Sequence, residues 1–268
     1  MIRSNFHTHT HFCDGKDSPR ELADRAVELG FDSLGFSGHS YTAFDADYCM
    51  SPERIERYIA EINALKDEYG SKLNILCGIE QDLYSSVERE RFDYVIGSVH
   101  YIKIGGKYLP IDLSAEITAD IIRTYFAGDF CSYAAAYYET VSEVCDATRC
   151  DIIGHIDIIM KYADLLGFEQ SDRYLSYAEN AVKSLCRYNV PFEINTGAMA
   201  RGTRAVPYPT VELLGMLKSN GGSIIVSSDC HDKDYLDFGF VQAAELAKKA
   251  GFTTAKVLTE NGYGEIKL

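Results

Sequence analysis

Six strand-like apolar runs in this 268-residue chain end at a histidine or a carboxylate, and that arrangement restricts the folds open to it. His7 and His9 close the first run, His39 the second, Glu80 the third, His100 the fourth, His155 the fifth, and Asp229 with His231 the seventh. A single titratable residue at the end of a buried strand is usually a hydrogen-bonded structural group. Six such ends are different, because buried polar and charged groups need partners. In a parallel sheet all C-terminal strand ends lie on one side, so residues from distant parts of the sequence would meet in one mouth.

The spacing of the runs supports that sheet. Strands are expected over residues 2–7, 33–37, 73–79, 94–99, 152–154, 190–194 and 223–227, with a weaker eighth at 256–258. Helical stretches separate them. One opens at Ser18-Pro19-Arg20-Glu21, a capping box with proline at the first helical position, and stops at Gly30. Another runs from Ser51-Pro52 towards Gly70. Further helices are expected over 115–128, 130–147, 172–188, 208–219 and 238–250. Alternating strands and helices define an α/β chain. The expected form is a distorted (β/α) barrel of about seven strands with its active site at the C-terminal strand ends. No linker divides the sequence, so residues 1–268 are read as one domain. No Gly-x-Gly-x-x-Gly follows the first strand, which leaves a dinucleotide site without support.

Several function classes are disfavoured. No apolar run of about 18 residues is present, and the N-terminus lacks the pattern of a signal peptide. A cytoplasmic protein with no membrane partner is therefore expected. The net charge of −14 repels phosphate backbones and argues against a nucleic-acid polymer as partner. The eight cysteines include no Cys-x-x-Cys pair, so neither a zinc ribbon nor a disulfide framework is expected.

The histidine pattern points to metal. In an extended segment the period of two puts His7 and His9 on the same side, able to grip one ion. His11 continues the alternation but lies where the chain must turn. Mixed imidazole and carboxylate donors suit zinc, manganese or iron. The candidate ligands outnumber the positions around one tetrahedral ion, so two or three divalent ions are expected.

Together, His7-x-His9-x-x-x-x-Asp14-Gly15, Gly38-His39, Gly78-Ile79-Glu80, Ser98-Val99-His100, Gly154-His155 and Ser227-x-Asp229-x-His231 resemble the PHP (polymerase and histidinol phosphatase) superfamily over about residues 5–232. The Gly154-His155-Ile156-Asp157 box and Glu193-Ile194-Asn195-Thr196 look most like its histidinol-phosphate phosphatase branch. The resemblance implies a trinuclear site. His7, His9, Glu80 and Asp229 would hold the first ion, and Glu80 would bridge to a second held by His100 and His155. The third would use His39, His231 and Asp14; alternatively, Asp14 is a hydrogen-bond acceptor or a turn residue before Gly15.

The implied reaction is hydrolysis of a small phosphate monoester, histidinol phosphate foremost, in histidine biosynthesis. Metal-activated hydroxide would attack phosphorus in line, with Glu80 and Asp229 as the catalytic carboxylates and Asp229 or a metal-site water as proton source. Arg201, Lys161 and Arg204 are the candidates for gripping phosphate, Arg201 foremost and Arg204 peripheral. Asp45, Asp47, Tyr41 and Tyr48 would suit the ammonium and imidazole of the alcohol. The rival readings are a phosphoesterase acting on nucleotides, an inactive metal-binding regulatory domain, and an amidohydrolase barrel, which also opens with His-x-His.

Overall fold

The computed structural model describes residues 2–259 and 262–268. The chain opens with β1 (Ser4–Asn5) and α1 (Pro19–Glu28). At the start of α1 the Ser18 hydroxyl accepts from the Glu21 amide while the Glu21 carboxylate accepts from the Ser18 amide, the reciprocal cap expected from the sequence. Just past its end Gly30 sits at φ +71°, where the chain reverses and only glycine is unstrained. β2 (Ser33–Phe36), α2 (Pro52–Tyr69), β3 (Asn74–Asp82) and β4 (Tyr94–Ser98) follow.

Next comes a hairpin, β5 (Tyr101–Ile104) and β6 (Lys107–Pro110), absent from the sequence-based expectation. Gly105 and Gly106, both at positive φ, make its turn. α3 (Ala115–Tyr125), α4 (Phe130–Val141) and α5 (Val144–Thr148) come next, so the helix expected over 130–147 is two pieces. They are followed by β7 (Ile152–Ile153), α6 (Ala163–Leu166), α7 (Asp172–Cys186), β8 (Phe192–Asn195), α8 (Gly197–Ala200), α9 (Val211–Ser219) and β9 (Ile224–Ser227). The chain closes with α10 (Phe240–Lys249), β10 (Thr254–Thr259) and β11 (Gly262–Lys267).

The main sheet has nine strands in the order β1-β2-β3-β4-β7-β8-β9-β10-β11, parallel up to β10 and antiparallel at β11. This corrects the expected count of about seven. The weaker eighth strand is real, and β11 was missed because its glycines and mostly exposed side chains obscure the alternation. Beyond the ends of β1 and β9, Thr8 and Cys230 form a parallel bridge, with the His9 amide donating to the Cys230 carbonyl at 2.9 Å. Buried Asn5 adds a side-chain tie, its carbonyl accepting from the His7 and Ser228 amides and its amide donating to the Leu236 carbonyl.

Period-two alternation separates the two faces of the sheet. Ile75, Cys77, Val95, Ile153, Ile224 and Val226 join the large core shared with the helices. Their neighbours Leu76, Tyr94, Ile96, Ile152 and Ile225 pack with Phe6 and Leu258 in a separate apolar cluster. Further along the same face lie Glu80 on β3 and Asp229 beyond β9. The Tyr94 hydroxyl crosses this face and donates to the carbonyls of Phe6 (2.6 Å) and Phe36 (3.1 Å). Gly78 makes room for that ring, because a Cβ there would lie 2.3 Å from it. Replacing Tyr94 by phenylalanine leaves two buried carbonyls without this donor. A loss of about 1–3 kcal/mol is expected, measured as a lower urea midpoint at unchanged slope.

Candidate metal centre

Glu80, buried at the end of β3, stands at the middle of a ring of imidazoles. Its Oε2 lies 2.8 Å from His39 Nδ1, 3.3 Å from His7 Nε2 and 3.5 Å from His9 Nε2. Its Oε1 lies 3.1 Å from His155 Nε2 and 3.4 Å from His100 Nε2. Asp229 approaches from the other side, its Oδ1 3.2 Å from His9 Nε2, 3.6 Å from His7 Nε2 and 3.7 Å from His231 Nδ1. Asp14, in the turn after β1, reaches His231 Nε2 at 3.2 Å and stands 3.7 Å from both His9 Nδ1 and His39 Nε2. All nine residues singled out as candidate ligands are thus brought together. His11 is not, being exposed and stacked on Phe12.

Among the described residues these donors form three overlapping groups able to hold an ion: His7, His9 and Asp229; His39, Glu80 and His100; and His9, Asp14, His39 and His231. His155 joins through its contact with Glu80. The donors also fit divalent metal in a second respect. His7 Nε2, His9 Nε2 and Glu80 Oε2 are buried without a hydrogen-bond partner. Unpaired buried polar atoms are costly and rare in folded proteins. Metal coordination satisfies such atoms, and imidazole–carboxylate sets suit zinc, manganese or iron.

Without metal the crowding of imidazoles and carboxylates moves their pKa values in opposite directions. Burial pushes the His7 imidazole down, but Glu193, Glu80 and Asp229 outweigh it and raise the net value well above the ordinary range. For His100 burial is likewise outweighed, by Glu80 and Asp82, and its pKa rises to about 9. His9 moves the other way, to about 3, through burial and the neighbouring His231 and His39. Burial pushes Glu80 and Asp229 upward, but the histidines, and Arg201 in the case of Asp229, hold both well below the carboxylate range.

Four supporting carboxylates or cations complete the picture, two of them missed from sequence. Glu193 on β8 is fully buried and accepts from His7 Nδ1 at 2.6 Å and from the His155 amide at 2.9 Å. Asp82, two residues past Glu80, accepts from the His100 amide and lies 3.4 Å from its Nδ1. Glu193 gave a signal in the sequence, a carboxylate inside an otherwise apolar strand, whereas Asp82 follows the polar pair Glu80-Gln81 and gave none. Arg201 donates to Asp229 Oδ2 at 3.1 Å, with 36% of its side chain exposed. Lys161 is paired with Asp112 at 2.8 Å. Arg204 points elsewhere, donating to the Met160 carbonyl and lying over the Tyr208 ring.

Above the cluster opens a cavity of about 610 Å³. Arg201 and Lys161 line it together with Asp45, Asp47, Tyr48 and Asp112, whereas Arg204 and Tyr41 are not among its lining residues. The Tyr48 ring stands edge-on to His39 at 4.8 Å.

A mostly parallel α/β sheet carrying six histidines and several carboxylates at its C-terminal strand ends defines a protein built around a multi-metal centre. The PHP domain model matches residues 5–197, and the chain belongs to that family. Asp229 and His231 lie beyond the matched segment and reach the centre through the fold. The chain is 28% identical over 259 residues to the probable histidinol-phosphatase of Deinococcus radiodurans, covering 92% of this chain and 94% of that one. It is 24% identical over 269 residues to the histidinol-phosphatase of Bacillus subtilis, covering 92% of this chain and all of that one. Among solved structures, the histidinol phosphate phosphatase of Lactococcus lactis, complexed with zinc, L-histidinol and phosphate, has the same fold. Its TM-score is 0.69 at 22% identity, covering 97% of this chain and 98% of that one.

Metal must displace the protons that His7 and His100 hold near neutrality. Zinc titrated into metal-free protein at pH 7 is therefore expected to release protons, seen as a binding heat that varies with the ionisation enthalpy of the buffer. Apparent affinity should climb from pH 6.5 towards 9 as His100 loses its proton more easily. A binding heat identical in all buffers would contradict this.

Proposed function

We propose that this chain is a metal-dependent phosphatase that hydrolyses histidinol phosphate to histidinol and phosphate. The observation that carries this reading is a single cavity lined by candidate metal ligands, by the cations Arg201 and Lys161 and by the further carboxylates Asp45, Asp47 and Asp112. The relatives named histidinol-phosphatases align with more than nine-tenths of the chain, which supports the same substrate.

His7, His9, Glu80 and Asp229 are assigned to one ion, Glu80, His100 and His155 to a second, and Asp14, His39 and His231 to a third. His39 also touches Glu80 and His9 also approaches Asp14, so the share of each is divided. Divalent ions held there supply Lewis-acid charge and lower the pKa of bound water. The protein's own groups orient the ester. Arg201, anchored on Asp229, stands at the wall with room to meet phosphoryl oxygens. Lys161 faces the same cavity from its pair with Asp112. Asp229, kept ionised by Arg201, acts as a ligand rather than a proton donor. Asp45 and Asp47 line the same cavity, where their charge would attract a cationic alcohol; Asp45 is held by the Tyr101 hydroxyl at 2.7 Å.

The same reading takes the sheet as a distorted barrel, supported by the Thr8–Cys230 bridge between its first and ninth-strand segments. It takes the chain as one domain acting in the cytoplasm on a small molecule rather than on a nucleic-acid polymer.

Phosphate release from a panel of monoesters and diesters by metal-loaded protein tests this function. Histidinol phosphate should give the highest kcat/KM, and no turnover of it under any metal would overturn the assignment. Replacing Glu80 by glutamine should abolish most turnover, since an amide lacks two anionic oxygens. Arg201→Ala should cost roughly 100- to 1000-fold in kcat, the usual loss of a transition-state charge contact. Arg204→Ala should change kcat little; equal small losses at both positions would remove Arg201 from the phosphate grip.

A further inference from the structure

The fully buried Glu193 carboxylate meets three donors and has no solvent to complete its shell. Its Oε1 lies 2.6 Å from His7 Nδ1, while its Oε2 accepts from the His155 amide at 2.9 Å and from Asn195 Nδ2 at 3.0 Å. The Asn195 amide cannot turn round freely, because its own carbonyl oxygen accepts from the Gly197 amide at 2.9 Å. Two donors therefore fix Oε2 as an acceptor, and Oε1 takes the proton of His7 Nδ1.

We infer that Glu193 is a positioning residue that holds His7 as the Nδ1-protonated imidazole, leaving Nε2 as the atom that faces Glu80 and Asp229. This rests on the reading of His7 as a metal ligand. A carboxylate behind a ligating histidine sets its tautomer, fixes the plane of its ring and makes its free nitrogen a better donor to metal. Glu193 does more than orient one ring. Through the His155 amide it ties the end of β7, and through His7 the segment after β1, to β8. Two candidate ligands of different ions thus share one buried anchor.

Glutamine at position 193 keeps the size of the side chain but replaces one acceptor by a donor. With its nitrogen towards His7, the imidazole must present a lone pair at Nδ1 and carry its proton on Nε2, where metal would bind. With its nitrogen the other way, it opposes two N–H donors in a site closed to water. Neither orientation restores the native arrangement.

The test is zinc binding by the whole protein, measured by competition with a chromophoric chelator, for wild type, Glu193→Gln, His7→Ala and the double variant. Glu193→Gln should weaken zinc binding about 10- to 100-fold. Added to His7→Ala it should weaken binding much less, the remainder coming through its bond to the His155 amide. Wild-type affinity in Glu193→Gln, or an undiminished effect in the His7→Ala background, would overturn the role of Glu193. Failure of wild-type protein to bind zinc would instead remove the metal reading on which it rests. If Glu193→Gln does not fold, the zinc-loaded wild type decides by NMR of ¹⁵N-histidine label. A protonated Nδ1 and unprotonated Nε2 at His7 support the assignment, and the reverse overturns it.

Discussion

Glu80 is the group on which the rest of the centre depends. A carboxylate buried at a strand end is very costly when unpaired, and five imidazoles from four other segments close on this one. Each of those histidines is itself buried and needs a counter-group, so the requirement is mutual. Without metal the balance is kept by protons on His7 and His100. With metal it is kept by the ions. The cluster can thus be filled by protons or by metal, and the pKa directions of His7, His100, Glu80 and Asp229 all follow from the crowding of imidazoles and carboxylates.

The sheet makes that concentration of charge affordable by placing it above a dry floor. Leu76, Gly78 and Glu80 share one face of β3, so an apolar side chain, a gap filled by the Tyr94 ring and then the carboxylate follow in order. On β8 the same alternation sends Phe192 and Ile194 outward to the helices and Glu193 inward to His7. Beyond β9, Asp229 adopts φ +48°, a left-handed conformation that costs a non-glycine residue about 1–3 kcal/mol. Aspartate tolerates that region better than most residues. The turn aims its carboxylate at His7 and His9 while Arg201 holds the second oxygen. Gly197 permits this pair, since a Cβ there would lie 2.9 Å from both the Arg201 guanidinium and Asp229 Oδ2.

The wall of the cavity has a different character from its floor. Lys161 and Arg201 are both engaged with carboxylates, so each already has an anion in reach and a phosphate would compete for it or share it. Asp45, Asp47 and Asp112 line the same space. A phosphate ester with a cationic alcohol, the substrate class proposed above, would meet both kinds of group.

What the sequence by itself determined is the set of strand ends and the chemistry at them. Periodicity located the seven central strands, the Ser18 cap located the first helix, and the donors His7, His9, Asp14, His39, Glu80, His100, His155, Asp229 and His231 stood out because titratable residues ended apolar runs. Local signals carry that information, since side-chain alternation and capping depend on neighbours in the chain. Only the tertiary structure decided which of these groups touch, and which quiet residues serve them. It gave Glu193 to His7, Asp82 to His100 and Asp112 to Lys161, turned Arg204 towards Tyr208, and left His11 outside. It also added β11 and the β5–β6 hairpin, whose patterns are too weak to read alone. Such pairings join residues as far apart in sequence as 186 positions, and hydrogen-bond distance between them is set by the register of the sheet, which no local stretch of sequence encodes.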